Sequence, residues 1–274
     1  MISVIIATKN GEKYIARAIQ SALSQSVALE NLLDSSKYPG FEIVVISDGS
    51  TDKTVEIVRT ASAKDSRIRL IELTTNVGPG LARNQAILQS KNSYIALLDD
   101  DDIWTNTNKL KNQIAYLEEN QNVILVGSEK TEFTRENGEH LRWIINETNP
   151  ENIRKNMLSY NPIITSSAVF RKKIFDEVGG FKSMYLAEDY DLWLRMGLYG
   201  DISNVSNSET IYTMRDGSAS KIRNMDMAKA VLNLVKEYRH QYPNYFISLL
   251  KAHARIILTH WKILKKRYLR KNKV

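Results

Sequence analysis

Apolar and polar positions alternate between two periods over the first hundred residues. Short apolar runs rich in β-branched side chains at 2–7, 42–47, 68–73 and 94–98 predict buried strands. Between them, residues 12–25 place Tyr14, Ile15, Ala18, Ile19, Ala22 and Leu23 at helical spacing, and 52–63 and 81–89 predict two further helices. Strands alternating with helices imply right-handed βαβ units and a mostly parallel sheet. Ligands of such sheets bind beyond the carboxyl ends of the strands. Three polar clusters stand there: Thr8-Lys9-Asn10, Asp48-Gly49-Ser50 and Asp99-Asp100-Asp101-Asp102.

The pattern then loosens. Helices are expected over 107–120, 150–158, 171–178 and 188–198, with short strands at 123–127, 166–170, 202–205 and 210–214. The stretch around Trp143 is polar, and residues 128–186 carry no pattern that points to a particular chemistry. Residues 215–223 are small, polar and basic and read as a loop. Two helical patterns close the chain, at 225–240 and 243–270, broken at Tyr242-Pro243.

Composition sharpens this division. The chain has 274 residues, of which 43% are hydrophobic, enough for a sizeable core. It has no cysteine, which excludes disulfides and thiolate chemistry. No secretory leader and no apolar run of membrane-spanning length is visible, so a cytoplasmic protein is expected, peripheral to the inner face of the cell membrane if it meets lipid at all. The net charge of +7 is uneven: residues 221–274 hold fourteen Lys/Arg against Asp226 and Glu237, while the remainder is net acidic. The four histidines are scattered without metal-site spacing.

Four consecutive carboxylates repel one another unless a cation or water screens them. At the end of a buried strand, the run Asp99–Asp102 therefore reads as a metal-anchored phosphate site, or else as an acidic loop.

The ordered segments Ser3-Val4-Ile5-Ile6-Ala7-Thr8-Lys9-Asn10, Ile46-Ser47-Asp48-Gly49-Ser50-Thr51-Asp52, Gly80-Leu81-Ala82-Arg83-Asn84, Leu97-Leu98-Asp99-Asp100-Asp101-Asp102 and Ala187-Glu188-Asp189-Tyr190-Asp191-Leu192-Trp193 resemble family 2 of the inverting, nucleotide-sugar-dependent glycosyltransferases. The resemblance covers about residues 1–215. It implies an α/β GT-A domain at 1–220, with a nucleotide-binding half at 1–105 and an acceptor half at 106–220. A basic amphipathic extension at 221–274 follows.

The resemblance also implies roles. Asp48 would accept from the uracil of a UDP-sugar donor, a charge-assisted bond that reads the base edge. Its other reading is an Asx turn before Asp52. Relatives often carry two acids here, where this chain has Ser47. Thr8 and Asn10 would line the base pocket. Asp101 would bind Mn2+ or Mg2+ with Asp99 in support, and Asp99 and Asp100 would hold the ribose or a metal-bound water. Asp102 would face solvent or cap the next helix. Asp189 would be the catalytic base, or with Glu188 and Asp191 only complement a helix dipole. Glu188 and Trp104 are acceptor-side candidates, Trp104 by stacking on a sugar ring. Trp193 and Leu194 belong to the core. Arg83 would touch phosphate or base, or simply pack a helix. Arg215, Lys221 and Arg223 would form a basic lid over the diphosphate, or an ordinary connector.

The implied reaction moves a sugar from a UDP-sugar to a glycan or lipid-linked glycan acceptor in bacterial polysaccharide, lipopolysaccharide or glycoprotein-glycan assembly. A dehydrogenase is discounted, because Arg83 stands where a dinucleotide loop needs its third glycine. A non-catalytic nucleotide-sugar binder and an aspartyl-nucleophile phosphotransferase remain as alternatives. The basic, Trp-containing segment 243–273 suits an anionic membrane surface. Packing on the domain is its alternative reading, and nucleic acid is not expected.

Overall fold

The computed structural model describes residues 2–25, 40–184, 186–215 and 224–271, with side chains as far as residue 265. The expected alternation is present: β1 (Ile2–Thr8), α1 (Ile15–Leu23), β2 (Phe41–Asp48), α2 (Thr54–Lys64), β3 (Ile68–Leu73), α3 (Pro79–Leu88) and β4 (Tyr94–Leu97). Then come β5 (Ile103–Trp104), α4 (Lys109–Glu119), β6 (Val123–Ser128), β7 (Lys130–Arg135), β8 (His140–Ile145) and α5 (Pro150–Asn156). A 3-10 turn at Thr165–Ser167 precedes β9 (Val169–Arg171), α6 (Lys172–Glu177) and α7 (Glu188–Met196). The remaining elements are β10 (Asp201–Val205), β11 (Thr210–Met214), α8 (Asn224–Glu237) and α9 (Tyr245–Lys271).

The main sheet has the order β10-β6-β9-β4-β1-β2-β3. The pairs β4–β1, β1–β2 and β2–β3 are parallel, and β9 lies antiparallel between β4 and β6. The two faces of this sheet explain why its strands read as continuous apolar runs. Along a strand, neighbouring side chains point to opposite faces. Ile5, Val44 and Ile46 pack with Ala82, Trp193 and Leu234, whereas Val4, Ile6, Ile43 and Val45 pack with Ile15, Val58 and Leu110. Both layers are buried, so neither face calls for polar residues.

A second sheet, ordered β5-β11-β7-β8, was not expected from the sequence. Strand β8 is exposed along almost its whole length, so its short alternation of Leu141, Trp143 and Ile145 with polar His140 and Arg142 faces no core. A second local signal is Asn137-Gly138 between β7 and β8, a hairpin turn with Gly138 at φ 83°.

The C-terminal helices join the same core. Helix α8 buries Val231, Leu234 and Val235 in the layer that holds Trp193, and Tyr242 donates to the Leu194 carbonyl at 2.7 Å. The change at residue 221 is thus one of charge, with the core continuing across it.

Candidate active site

The carboxyl end of β4 aims all four aspartates at the rim of the sheet, and each takes a different set of partners. Asp99 accepts from Arg83 Nη2 at 2.6 Å. Asp100 accepts from Thr8 Oγ1 at 2.5 Å and from Arg215 Nη2 at 2.6 Å. Asp101 pairs with Arg215 Nε. Asp102 accepts from Ser166 Oγ at 2.5 Å and from the Thr213 amide at 2.7 Å. Two arginines and a fan of hydroxyl and amide donors thus offset the mutual repulsion of the run.

Burial leaves its mark nonetheless. It pushes the Asp101 carboxyl up to about 6 against the pull of Arg215, with Asp99 and Asp100 adding to the rise. Burial raises Asp100 too. Asp102 is pushed well above the carboxylate range by burial and then by Asp101 and Asp99.

The expectation that Asp102 faces solvent or caps the next helix is corrected. It is 1% exposed and ties β4 to the 3-10 turn and β11. Trp104 is corrected likewise. It is 3% exposed, its Nε1 donates to the Ser166 carbonyl at 2.7 Å, and the buried Lys109 ammonium lies 4.6 Å from its ring centroid. A ring enclosed in this way offers no face to a sugar.

Arg83 links the aspartate run to the second acidic cluster. It is buried, and its other nitrogen, Nη1, reaches Glu188 Oε1 at 3.3 Å. Burial alone would lower the Arg83 value, but the Asp99 and Glu188 charges outweigh it and hold the guanidinium above its ordinary range. Gly80, one turn earlier on α3, allows this approach, since a Cβ there would sit 3.2 Å from both Glu188 Cγ and Phe181 Cβ.

Helix α7 begins at Ala187 in the left-handed region, φ 60°, and carries Glu188, Asp189 and Asp191 in its first turn. Asp189 Oδ2 accepts from Thr165 Oγ1 at 2.8 Å and Asn161 Nδ2 at 3.0 Å, which orients the carboxylate. Asp191 is turned the other way. It is fully buried among Lys182, Arg195 and Tyr238, where it locks α7 to α8.

Burial and the Asp189 charge push the Glu188 carboxyl up to about 7, from an ordinary 4.5, with Arg83 offsetting only part of the rise. The folded chain therefore holds this proton between about pH 4.5 and 7, where the unfolded chain has released it. The stability contributed by this group is present below that window and falls as pH rises through it. Glu188→Gln mimics the protonated form. Its melting temperature is expected to gain on the wild type steadily from pH 5 to pH 8 (about the limits of the window). A difference independent of pH would contradict the assignment.

The third cluster lies on the other flank of β1. Asp48 is 4% exposed and accepts from the Val77 amide at 2.7 Å and the Gly78 amide at 2.9 Å. It therefore braces the β3–α3 turn; no Asx turn toward Asp52 is recorded for it. Each oxygen keeps a second lone pair. Asn10, at φ 55°, accepts from the Thr51 amide at 2.8 Å, and its own amide donates to Ser50 Oγ at 3.1 Å, which clasps the loops after β1 and β2.

Gly11 permits the contact between Thr8 and Asp100, because a Cβ at Gly11 would overlap both Thr8 Oγ1 and Asp100 Oδ2. Gly11→Ala is expected to cost roughly 1–3 kcal/mol by overpacking, read by urea denaturation. Wild-type stability in this variant would contradict the tight packing.

Sequence reasoning missed Arg17, Ser166 and Tyr14. Arg17 Nη2 donates to the Asp101 carbonyl at 3.0 Å, and Ser166 Oγ receives the Asp99 amide at 3.1 Å while holding Asp102. The Tyr14 ring lies 4.8 Å below the Arg215 guanidinium. Tyr14 shows only as an apolar helix position in the sequence, and no motif flags a lone Ser or Arg. Lys221 and Arg223 lie outside the described residues.

The oxygen donors of Asp99, Asp100 and Asp101 suit a hard divalent cation. In this structure the Arg215 guanidinium pairs with both Asp100 and Asp101. Among the described residues no three acidic or histidine side chains form a closed cage.

Residues 3–179 match the family model described as Glycosyl transferase family 2. The chain belongs to glycosyl transferase family 2. This family 2 member is 32% identical over 264 residues to the UDP-Glc:alpha-D-GlcNAc-diphosphoundecaprenol beta-1,3-glucosyltransferase WfaP of Escherichia coli, a match spanning 94% of this chain and 90% of WfaP. The amylovoran biosynthesis glycosyltransferase AmsE of Erwinia amylovora is 27% identical over 241 residues, 86% of this chain and 85% of AmsE. An uncharacterised glycosyltransferase of Haemophilus influenzae is 36% identical over 128 residues, which are 47% of this chain and 46% of that relative, so the chain matches under half of its length.

Solved structures share the fold. TarS 1-349 of S. aureus, in complex with UDP-GlcNAc, superposes with a TM-score of 0.64 at 24% identity, over 93% of this chain and 72% of that one. The mannosyltransferase PcManGT of Pyrobaculum calidifontis, in complex with GDP-Man and Mn2+, gives 0.61 at 18% identity, over 93% and 69%. The family 2 architecture is thus the GT-A type expected from the sequence. Membership of the family leaves the aspartyl phosphotransferase reading without support.

Proposed function

We propose that this family 2 glycosyltransferase moves a sugar from a UDP-sugar, with inversion at the anomeric carbon, to a hydroxyl of a lipid-linked glycan. The single observation that carries the reading is the Asp99–Arg83–Glu188 bridge, which couples the phosphate end of the sheet to the helix that bears Asp189. A donor on the aspartate rim and a base at the start of α7 are then held on one scaffold. WfaP, a relative matched over almost the whole chain, supports the UDP-sugar donor and an acceptor of the lipid-diphosphate kind.

The geometry supports a role for each residue. Asp48 uses its remaining lone pairs to accept the uracil N–H, while its present partners hold the turn at 76–78. Thr8 and Asn10 shape that end of the cleft, and Asp100 faces the ribose. A divalent cation held by Asp101, with Asp99 in support, would supply positive charge beside the leaving diphosphate. Asp189, oriented by Thr165 and Asn161, takes the proton of the acceptor hydroxyl as its oxygen bonds to the anomeric carbon. The bond from that carbon to the diphosphate breaks with its electron pair going to UDP. Arg215 sits on the aspartates in this structure, and nucleotide binding requires it to exchange these partners for phosphate oxygens.

A thermal-shift series tests the donor assignment. UDP with Mn2+ is expected to raise the melting temperature more than GDP or dTDP does, and Asp101→Asn is expected to remove the Mn2+-dependent part. Equal shifts with all three nucleotides would contradict the uracil contact.

A further inference from the structure

Helix α9 is two-sided along its described length. One face is packed: Ser248 and Ala252 are buried, and Tyr245 and Leu249 lie against the core layer that holds Trp193. The opposite face is apolar and bare. Phe246 is 77% exposed, Leu250 71%, Ile257 68%, Trp261 58% and Leu264 49%. Spacings of four, seven, four and three residues put these side chains in one stripe. Exposed apolar residues scattered singly need no explanation, but a continuous row on a helix of 27 residues does.

The charge pattern says what covers the stripe. Lys262 and Lys265 are exposed beside it and Lys251 and Arg255 nearer the packed face, where Lys251 Nζ donates to Ser159 Oγ at 3.4 Å; the Lys265 ammonium lies 5.2 Å from the Trp261 ring centroid. Residues 243–274 hold nine Lys/Arg and not one acid. A second copy packed stripe to stripe would bring like charges together with no counter-charge. Nucleic acid would meet the cations but leave the row of Phe, Leu and Ile unsatisfied. An anionic lipid surface satisfies both, with apolar side chains among the acyl chains and the cations at the headgroups. No helix among the described residues is long and apolar enough to cross a membrane, so α9 would lie along the surface.

We propose that the outer face of α9 docks on an anionic phospholipid bilayer. The contact needs neither nucleotide nor metal and stands or falls apart from the donor assignment. If the acceptor is lipid-linked, as the proposed function has it, this contact keeps the enzyme on the surface where that acceptor resides.

The test is flotation of the full chain with vesicles of phosphatidylglycerol and phosphatidylcholine, against vesicles of phosphatidylcholine alone. The wild type is expected to float with the anionic vesicles and to lose most of that binding in high salt. Replacing Lys251, Arg255, Lys262 and Lys265 by Gln is expected to weaken binding by up to roughly six hundredfold, since each cation near such a surface contributes about fivefold. The triple variant Leu250→Glu, Ile257→Glu, Trp261→Glu should not float at all. Its melting temperature reports whether α9 is still packed, and if it is not, the Gln variant decides. Wild-type chain that stays with the lipid-free fraction would overturn the proposal. So would a Gln variant that binds as the wild type does, or a lipid-free dimer that the Glu substitutions dissociate while vesicle binding is absent throughout.

Discussion

Asp189→Asn is expected to lower kcat for sugar transfer by about two to four orders of magnitude, the usual contribution of a positioned general base. Asparagine keeps the shape of the side chain and an oxygen to accept from Thr165 Oγ1, but it has no site for the acceptor proton. UDP affinity should change little, because the contacts assigned to the nucleotide lie at Asp48, Asp99 and Asp100, on the far side of Arg83. The loss should therefore fall on kcat and leave nucleotide binding intact. Transfer at the wild-type rate would remove Asp189 from the mechanism. A wild-type chain that binds UDP-sugar and never turns over, with any acceptor offered, would favour a non-catalytic binder.

Arg83→Met carries the second large expectation, on stability. Arg83 is 6% exposed and is the bonded counter-charge between Asp99 and Glu188. Removing one partner of a buried ion pair leaves uncompensated charge and costs roughly 3–5 kcal/mol. Asp99 retains some access to water, so a figure near 3 kcal/mol, at the lower end, is expected. Urea denaturation at neutral pH reads it directly. Because Glu188 already sits at about 7 beside Arg83 and rises further without it, the orphaned carboxylate can escape by taking up a proton, and the deficit should shrink as the pH is lowered from alkaline values to about 7. A deficit constant with pH, or none, would mean that Arg83 is packing alone.

The two expectations separate chemistry from scaffold. Both act within one line of side chains running from Thr8 through Asp100 and Arg215, and from Asp99 through Arg83 to Glu188. That line was legible in part. The first hundred residues were readable because their strands are buried on both faces and so stand out as apolar runs, with polar clusters at their carboxyl ends. The aspartate run, Asp48 and Glu188-Asp189 were visible because carboxylates clustered beside buried apolar segments are costly unless they are paired.

The rest was hidden for physical reasons. Strand β8 is solvated, and its alternation at Leu141, Trp143 and Ile145 is too short to stand out from the polar stretch around it. Trp104 looked like a stacking platform because it follows the aspartates, but two residues beyond them the chain has already turned into the core. Asp102 looked dispensable because three acids precede it, yet it is the most buried of the four. Arg17 and Ser166 come from distant parts of the chain, and only folding brings them to the site. Helix α8 was grouped with the basic tail by charge, whereas its apolar face belongs to the core.

The central claim is that the aspartate rim and Asp189 together perform an inverting transfer from a UDP-sugar. The measurement that tests it most directly is the anomeric configuration of the product. The chain would be incubated with a UDP-α-sugar, Mn2+ and a lipid-diphosphate-linked GlcNAc acceptor, and the new linkage read by the proton coupling at its anomeric carbon. The account predicts a β-linked product that depends on Asp189. An α-linked product, or a β-linked one formed equally well by Asp189→Asn, would contradict it.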